Sequence, residues 1–336
     1  MRTPKTLATA LLSLSAAALL ALSAAGAATA APAPGNAPAD PSGVTSHTVV
    51  ETGTAGYWTE ERMRNAIPGD VLAEKAMKRN NNSKAALGRA VDAGALSTVE
   101  AAAPSLQAKQ AQPVQPMANA SESPVKHIGK VFFTLGGANY VCSGNSISSG
   151  NRSTVSTAGH CINEGPGAFA TKWTFVPAYL NGAAPYGQWT AKGLYAPTQW
   201  SSAGNMAYDT GFAVMSTLNG QSLSDVVGAS GVRFNAARGL SYKAFGYPAG
   251  APFNGESLKS CSGTATNDPN NSSFMTQGIP CNMTGGSSGG PWFIGSSSTG
   301  YQNSVNSYGY GSNSTSMYGP YWGSVIQQTY NSAAAA

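Results

Sequence analysis

The sequence predicts an all-β fold with many turns, and three observations lead to this prediction. Charged residues make up only 10% of the 336 residues. Glycine occurs 40 times and proline 20 times, as expected of a chain with many tight turns. Short runs of β-branched and aromatic residues lie between these turn residues and favour strands. The length leaves room for one large or two ordinary domains, plus processed segments.

The first 30 residues have the pattern of an export signal. Arg2 and Lys5 precede an apolar stretch over 7–25, and small residues suit cleavage just before Ala31. A membrane anchor is the alternative, because the apolar stretch is marginally long enough to span a bilayer. Its Ala and Ser content and the Pro-rich segment behind it favour a cleaved signal. No later stretch is apolar enough to span, so we expect a secreted, extracellular protein with no membrane partner.

Residues 31–123 differ from the rest of the chain, and we interpret them as a pro-region and linker. They contain no cysteine and carry much of the charge. Charge spacing and capping residues predict short helices over 59–65, 70–79 and 84–93. A Pro/Gln/Ala-rich linker follows over 101–123. A separate small helical domain and a disordered stalk are the alternatives.

Cysteine content and charge exclude several classes of protein. The chain has an even number of cysteines: Cys142, Cys161, Cys261 and Cys281. In an exported chain this favours two disulfides over free thiols or a metal site. No Cys-x-x-Cys or His-x-x-x-His spacing suggests zinc, so we expect neither a metal nor a cofactor. The net charge of +5 is spread out and has no basic–aromatic cluster, so we expect no nucleic-acid partner.

The strands predicted after residue 123 lead to a histidine. Residues 130–135 and 138–143 read as a hairpin around Gly136-Gly137. A further strand over 153–157 ends in small residues and places His160 next to Cys161. A lone histidine is usually structural, but this one is held by its neighbour. A Cys142–Cys161 bridge closes a loop of about twenty residues, which contributes roughly 3 kcal/mol in the loop-entropy model. The bridge would also fix the position of the imidazole.

Asp209 is the acidic residue best placed to orient this histidine. It leads directly into the apolar run 211–215, where burying a carboxylate is costly unless it is hydrogen-bonded. That cost is a reason to expect a partner. A turn-capping aspartate is the commoner alternative. Asp225 and Asp268 lie in Ser/Leu-rich and Asn-rich loops, and we interpret both as turn residues.

The stretch 283–292 contains four glycines, two serines and a proline beside a tryptophan. So many glycines disfavour a helix and make a poor strand. Such a segment can turn sharply and present backbone N–H groups next to a serine, which is the arrangement needed to attack a carbonyl. A flexible surface loop is the alternative.

Taken together, these motifs resemble the active-site motifs of chymotrypsin-like serine proteases. They are the run 157–161 around His160, Asp209 before its strand, and the Gly-Ser-Ser-Gly-Gly-Pro run 286–291. Their order along the chain, His then Asp then Ser, is the chymotrypsin order. The resemblance covers about 125–331 and is closest to the secreted bacterial branch that includes the glutamyl endopeptidases.

The resemblance implies a fold as well. We expect a serine protease domain over 124–336, built from two antiparallel six-stranded β-barrels with a C-terminal helix. The first barrel would span about 125–222 and the second about 226–333. Apolar residues at helical spacing over 323–332 indicate the helix. Cys261 and Cys281 are expected to pair just upstream of the nucleophile.

The resemblance also implies a role for each site residue. Ser288, directly before Gly-Gly-Pro, is the expected nucleophile in preference to Ser287. His160 would move the proton, Asp209 would orient His160, and the N–H groups of Gly286 and Ser288 would form the oxyanion hole. Ser287 stands where animal digestive enzymes carry an aspartate that pairs with a new N-terminus on activation. A serine cannot form that ion pair, so this route of activation is not expected.

The specificity pocket is expected to be formed by two segments. The predicted substrate-binding residues are Asn282, Met283, Thr284, Asn306, Ser307 and Gly309. Asn282 falls where trypsin-type enzymes carry an aspartate, so cleavage after Lys or Arg is disfavoured. Ser307 and Gly309 would offer backbone groups to an extended substrate. Glutamate specificity is not supported, because the histidine and threonine of that branch are replaced by Asn306 and Met283. Ordinary barrel packing is the alternative for these residues.

The resulting functional hypothesis is a secreted serine endopeptidase that acts through an acyl-enzyme and is made as a precursor. Polypeptides would be its substrates, and its own pro-region would act as an intramolecular inhibitor or chaperone. A monomer is expected. The alternatives are a catalytically weak protease-like binding protein and a secreted esterase with the same triad.

Overall fold

The computed structural model describes residues 43–50, 53–54, 56–82, 94–105, 124–311 and 313–336. The predicted export signal, the helix predicted over 84–93 and most of the predicted linker lie outside the described residues. Among the described residues, no helix is both long enough and apolar enough to cross a membrane.

Most regular structure is β. The first strands are β1 (Val44–Thr48), β2 (Ile67–Pro68), β3 (Ser97–Val99), β4 (Ile128–Leu135), β5 (Ala138–Ile147), β6 (Thr154–Thr157), β7 (Thr171–Pro177), β8 (Trp189–Pro197) and β9 (Gly211–Met215). The later strands are β10 (Val232–Phe234), β11 (Ser241–Gly246), β12 (Lys259–Thr264), β13 (Thr266–Asn267), β14 (Gln277–Pro280), β15 (Pro291–Ile294), β16 (Gln302–Val305) and β17 (Ser316–Gly319). The helices are α1 (Glu60–Arg64), α2 (Asp70–Asn82), α3 (Thr198–Ala203), α4 (Leu223–Val227) and α5 (Ser324–Ala334).

The first half forms a closed antiparallel barrel. The strands pair in the order β4-β5-β6-β9-β8-β7, and β7 returns to pair with β4. The hairpin between β4 and β5 turns at Gly136 and Gly137, whose φ values of 58° and 83° are left-handed. A two-residue turn of this hand matches the twist of the strands, and glycine adopts it without strain. Large side chains, including Trp173 and Trp189, fill the interior.

The second half forms two sheets. One contains β12-β11-β15-β16-β10, in which β10 and β16 are parallel, and the other contains β13-β14-β17. Helix α5 follows and buries Ile326 and Tyr330 against Phe212 of the barrel and Phe234 of the second half. The all-β prediction and the predicted C-terminal helix are confirmed. Both predicted disulfides are also present, Cys142–Cys161 and Cys261–Cys281.

The described part of the predicted pro-region packs on these sheets. Helices α1 and α2 begin and run close to where the sequence predicted them. The sequence did not predict β1, β2 and β3, which pair with β8, β5 and β10. Trp58 is buried next to Phe132 of the barrel and donates its indole N–H to the carbonyl of Lys172. The segment therefore adds strands to the edges of both halves.

Candidate active site

The side chains of His160 and Asp209 meet at the end of the barrel. His160 lies on a short 3-10 turn directly after β6, and Asp209 lies on the turn that leads into β9. Because β6 and β9 are paired neighbours, the two turns lie side by side. One carboxylate oxygen of Asp209 accepts the backbone N–H of His160 at 2.8 Å. The other accepts Nδ1 of the same ring at 2.8 Å, so the carboxylate holds both the backbone and the ring of His160.

This contact assigns the tautomer of His160. A carboxylate accepts hydrogen bonds, so Nδ1 carries the hydrogen and Nε2 of the neutral ring is an acceptor. Both side chains are fully buried. Ser307 donates to the same Asp209 oxygen at 2.5 Å, which satisfies the buried carboxylate further. Trp200 packs against the imidazole with ring centroids 6.4 Å apart.

The serine turn between β14 and β15 depends on glycine at two positions. Gly286 and Gly289 have φ values of 93° and 81°, which side chains rarely adopt. A Cβ at Gly289 would also run into Oγ1 of Thr157 and the carbonyl of Ser143. The serine turn of the second half can therefore approach the barrel closely only because these positions have no side chain.

The peptide group between Gly285 and Gly286 is held in one orientation by hydrogen bonds. The carbonyl of Gly285 accepts from the N–H groups of Ala249 and Gly250, at 2.6 and 3.2 Å. In a planar trans peptide the next N–H points the opposite way. The N–H of Gly286 is therefore directed away from that loop.

Ser143 of β5 braces the same turn from the barrel. Its hydroxyl donates to the carbonyl of Gly286 at 2.9 Å and accepts the N–H of Tyr247 at 2.9 Å. Its backbone N–H donates to the carbonyl of Ser288 at 2.7 Å. Ser143 carries no signal in the sequence, because no local motif marks a residue whose partners lie more than a hundred positions away.

The two serines of the turn have different surroundings. The hydroxyl of Ser287 donates to the carbonyl of Thr284 at 2.7 Å and is used within the turn. Ser288 lines the cleft and is 4% exposed. None of the described residues hydrogen-bonds Nε2 of His160, so the hydroxyl of Ser288 does not bond the imidazole in this structure.

A cavity of about 310 Å³ adjoins Ser288. Four of the predicted substrate-binding residues line it: Met283, Thr284, Ser307 and Gly309. The structure places Asn282 on the exposed surface, outside this lining. Asn306 is fully buried and bonds the indole of Trp292 and two backbone carbonyls. No described residue bonds the carbonyl of Ser307 or the N–H of Gly309, so both could meet a substrate backbone.

Tyr308 forms a rigid wall of the cavity. Its ring stacks on Tyr318 with centroids 5.2 Å apart, and its hydroxyl lies 2.7 Å from a carboxylate oxygen of Asp268. Tyr310 donates to the same oxygen at 2.6 Å. Burial, together with this bond, raises the pKa of Tyr308 far above its ordinary value. Asp268 also accepts the N–H of Asn270, as the turn interpretation expected, but the two tyrosines give it a second role.

The sulfurs of Cys142 and Cys161 and a ring nitrogen of His160 lie within 4.8 Å of one another. The two sulfurs are bonded to each other in the disulfide, so neither is a thiolate. This group therefore lacks the ligands that a soft metal requires.

The N-terminal segment covers the cleft. Strand β2 pairs with β5 beside Cys142, and Gly69 donates its N–H to the carbonyl of Val141 at 2.9 Å. Helix α2 then begins at Asp70 and runs over the cavity. Its residues line the side of the cavity opposite Met283 and Ser307: Asp70, Val71, Ala73, Glu74 and Met77.

Several solved protease structures are similar to this chain. The protease Anisep from Arthrobacter nicotinovorans is 82% identical, with a TM-score of 0.64, over 65% of this chain and 99% of its own. The thermostable serine protease AL20 from an extremophilic microorganism is 52% identical, with a TM-score of 0.61, over 63% and 98%. A Glu endopeptidase at 22% identity and a TM-score of 0.51, over 66% and 95%, shows the fold alone. No family model and no curated protein matches the chain.

At such identities, with nearly the whole of two solved proteases covered, the chain belongs to the bacterial chymotrypsin-like serine proteases. It is a serine-type endopeptidase, a hydrolase whose substrates are polypeptides. The predicted chymotrypsin-like fold is confirmed by the same comparisons and by the closed barrel.

Proposed function

We propose that the chain is the precursor of a secreted endopeptidase that cleaves peptide bonds with His160, Asp209 and Ser288. The observation that carries the proposal is the pair of hydrogen bonds that Asp209 accepts from His160. One comes from the backbone N–H at 2.8 Å and the other from Nδ1 at 2.8 Å. It leaves Nε2 of a buried, oriented imidazole as a free base on the side of the serine turn. A base held in this way can activate a hydroxyl nucleophile.

In the acylation step, Oγ of Ser288 attacks the carbonyl carbon of the scissile bond and its proton passes to Nε2 of His160. The tetrahedral oxyanion accepts hydrogen bonds from the N–H groups of Gly286 and Ser288. The intermediate collapses as the C–N bond breaks, and the imidazolium returns its proton to the leaving amine. Asp209 stays ionised and stabilises the imidazolium.

Deacylation repeats these steps with water. His160 takes a proton from water, the hydroxide oxygen bonds to the acyl carbon, and the same two N–H groups donate hydrogen bonds to the oxyanion. The bond to Oγ of Ser288 then breaks, Oγ recovers its proton from His160, and the peptide leaves as a carboxylic acid. Removing one oxyanion donor from such sites typically costs about a hundred- to thousand-fold in turnover.

The lining of the pocket favours substrates with an uncharged side chain on the acyl side of the scissile bond. Its described residues from the protease domain include Met283, Met317 and Tyr308, and none of those that line it is charged. A buried charge without a partner is costly. We therefore do not expect the pocket to prefer a Lys, Arg or Glu side chain of the substrate. Profiling of cleavage products from a peptide library tests this expectation directly.

The N-terminal segment acts as an intramolecular inhibitor in this proposal. Its helix α2 occupies the cleft, and in this arrangement His160 is fully buried and Ser288 is 4% exposed. A substrate cannot reach the nucleophile until the segment moves. Removal of residues 31–123 during maturation would open the cleft.

A role as a folding chaperone is supported by different contacts of the same segment. Strands β1 and β3 pair with β8 and β10, one in each half of the protease domain. Glu100 also accepts the hydroxyl of Tyr301 at 2.7 Å. Such contacts would favour association of the two halves. Refolding of residues 124–336 with and without residues 31–123 added in trans tests this role; equal yields would contradict it.

Secretion is supported by the predicted signal and by two disulfides, which persist in oxidising compartments. Expression of the full chain in a secreting bacterial host should deliver a product to the medium that lacks the first 30 residues. Sequencing of its N-terminus is the measurement.

The nucleophile is tested by a matched pair of variants. Ser288→Ala should abolish peptide hydrolysis and labelling by a fluorophosphonate, whereas Ser287→Ala should retain labelling. If labelling survives in Ser288→Ala and is lost in Ser287→Ala, the register of the turn is wrong. If wild-type mature enzyme hydrolyses esters but no peptide, the esterase alternative stands, and if it is not labelled at all, the binding-protein alternative stands.

A further inference from the structure

The loop 247–258 of the second half holds the serine turn by its backbone. The N–H groups of Ala249 and Gly250 donate to the carbonyl of Gly285, at 2.6 and 3.2 Å. Most residues of the loop are small or apolar, and Glu256 is the only one with a charged side chain. The position of this loop therefore sets the position of the carbonyl of Gly285, and what holds the loop matters for the serine turn.

The side chain of Glu256 ties the loop to the barrel of the first half. The hydroxyl of Tyr179 donates to the carboxylate and lies 3.0 Å from each of its oxygens. Nζ of Lys130, on β4, lies 4.0 Å from one of the same oxygens. The N–H of Asn181 also donates to the backbone carbonyl of Glu256 at 2.9 Å. Three groups of the first half thus hold one residue of the second.

The ammonium group of Lys130 is enclosed by this contact. Its side chain is 3% exposed, and Nζ lies 4.2 Å from the ring centroid of Tyr179 and 5.1 Å from that of Phe132. Burial, together with the Glu256 carboxylate, raises the pKa of Tyr179, so its hydroxyl keeps the hydrogen that it donates. Replacing a buried ion pair by apolar residues of similar volume is often neutral or stabilising, so stability alone does not account for this cluster.

A short path of contacts leads from this cluster to the serine turn. Gly255 precedes the tied residue, and its N–H donates to the carbonyl of Pro248 at 2.8 Å. Pro248 precedes Ala249, so this hydrogen bond joins the tied end of the loop to the end that binds the serine turn. Lys130 lies against the same point, because a Cβ built at Gly255 would be 3.3 Å from Nζ of Lys130 and 2.9 Å from Cβ of Ala249.

We propose that Glu256 is a positioning residue for catalysis. Held by Tyr179 and Lys130, it keeps the loop in place, and the loop keeps the N–H of Gly286 in the orientation in which it donates to the oxyanion. Glu256 acts through the loop and touches no reacting atom. This inference rests on the proposed function, since it assumes that Gly286 stabilises the oxyanion formed when Ser288 attacks.

The experiment compares two inhibitors with the best-cleaved peptide sequence, a peptide aldehyde and the corresponding peptide alcohol. When Oγ of Ser288 adds to the aldehyde carbon, the hydroxyl proton passes to His160 and the carbonyl oxygen becomes an oxyanion. Such an adduct resembles the transition state and loses affinity when a transition-state contact is lost. The alcohol has no carbonyl, so it reports on ground-state binding. Both inhibition constants are measured on mature enzyme from the secreted full chain, with kcat, KM and urea unfolding.

The variants are Glu256→Ala, Glu256→Gln and Tyr179→Phe, and Asp225→Ala is the matched control. The side chain of Asp225 is 15% exposed, close to the 20% of Glu256. It also forms an ion pair, at 3.0 Å from Arg152, but this pair lies outside the loop 247–258. Loss of the control carboxylate should change stability alone.

In Glu256→Ala, kcat should fall by about tenfold with KM within about twofold, below the hundred- to thousandfold cost of losing a whole oxyanion donor. The inhibition constant of the aldehyde should rise by about the same tenfold, and that of the alcohol should stay within about twofold. Tyr179→Phe removes only the hydroxyl and should show the same pattern at about threefold. Glu256→Gln should stay within about threefold of the wild type, because its amide oxygen still accepts from Tyr179.

Unchanged kcat and aldehyde affinity in Glu256→Ala would overturn the proposal. So would equal losses of aldehyde and alcohol affinity, or an equal loss of kcat in Asp225→Ala. If Glu256→Ala does not fold, Tyr179→Phe decides, and unchanged aldehyde affinity in that variant refutes the role. Failure of the proposed function is distinguishable, because the aldehyde would then not inhibit the wild-type enzyme or Ser288→Ala would remain active.

Discussion

Ser143→Ala is expected to slow catalysis without changing substrate affinity. The hydroxyl of Ser143 holds the carbonyl of Gly286 at 2.9 Å, while the preceding carbonyl, of Gly285, is held by Ala249 at 2.6 Å. Gly286 is thus fixed on both sides. Because a glycine at a φ of 93° has no side chain to restrict it, loss of one anchor frees its backbone to rotate.

The size of the effect follows from what the hydroxyl does. Complete loss of one oxyanion donor costs about a hundred- to thousand-fold, and this sets the upper limit. Since Ala249 and Gly250 still hold the other side of Gly286, we expect kcat to fall by about ten- to a hundredfold, with KM within about twofold. The N–H of Tyr247 also loses its acceptor, which costs about 1–3 kcal/mol of stability. This is within the about 5–15 kcal/mol of a typical domain, so the variant should fold.

The assay is steady-state hydrolysis of a peptide substrate by mature enzyme, together with urea unfolding. Ser156→Ala is the matched control. Ser156 is also a fully buried serine of the same barrel, but its hydroxyl donates to Oε1 of Gln302 at 2.9 Å and does not touch the nucleophile turn. It should lose stability but keep its kcat. Equal losses of kcat in the two variants, or a loss confined to KM in Ser143→Ala, would refute the reasoning.

Three further results are expected. Asp209→Asn should lower kcat by roughly ten-thousandfold with little change in KM, since the amide no longer fixes the tautomer of His160; stopped-time peptide assays measure it. Burial lowers the pKa of Lys130 to about 8, against the opposing charge of Glu256. The unfolded chain keeps this proton up to the ordinary pKa of 10.5, so the free energy of unfolding should rise between pH 8 and 10.5. Lys130→Met should remove that rise in urea unfolding. Removal of either disulfide, Cys142–Cys161 or Cys261–Cys281, should lower the free energy of unfolding by about 3 kcal/mol, because the bridged residues are 19 and 20 positions apart. Only the first bridge adjoins His160, so only its removal should reduce kcat at a temperature where both variants fold.

The strands and helices that the sequence predicted well are those with strong local signals. Gly136-Gly137 between two β-branched and aromatic runs predicted a hairpin, and the structure has one. Strands β1, β2 and β3 carried no such signal, because each is two to five residues long and is stabilised only by a partner strand distant in sequence. Local pattern cannot report a pairing of this kind.

Site residues show the same division. His160, Asp209 and Ser288 could be predicted as site residues because each has a distinctive local neighbour: a cysteine, an apolar strand and a run of glycines. The pocket was harder to predict. Asn306 lies one residue before Ser307, yet its amide turns inward to Trp292 at 2.7 Å. Side chains of an extended segment alternate between its two faces, so a shift of one residue turns a side chain from the pocket to the interior. Which face lines the pocket is decided by packing with distant residues.

Gly285 differs from the other glycines of the serine turn. Gly286 and Gly289 have left-handed backbones, so their glycines are explained by the shape of the nucleophile turn alone. The backbone of Gly285 makes no such demand, and the atoms nearest to a Cβ built there belong to Asp70 of the N-terminal segment. If the N-terminal segment is the proposed pro-region, its contact with Gly285 gives a reason for a glycine that the turn itself does not require. In the proposed function, the turn 283–288 would therefore serve two states of the protein, a precursor in which Gly285 adjoins the carboxyl group of Asp70 and a mature enzyme in which the turn binds an oxyanion.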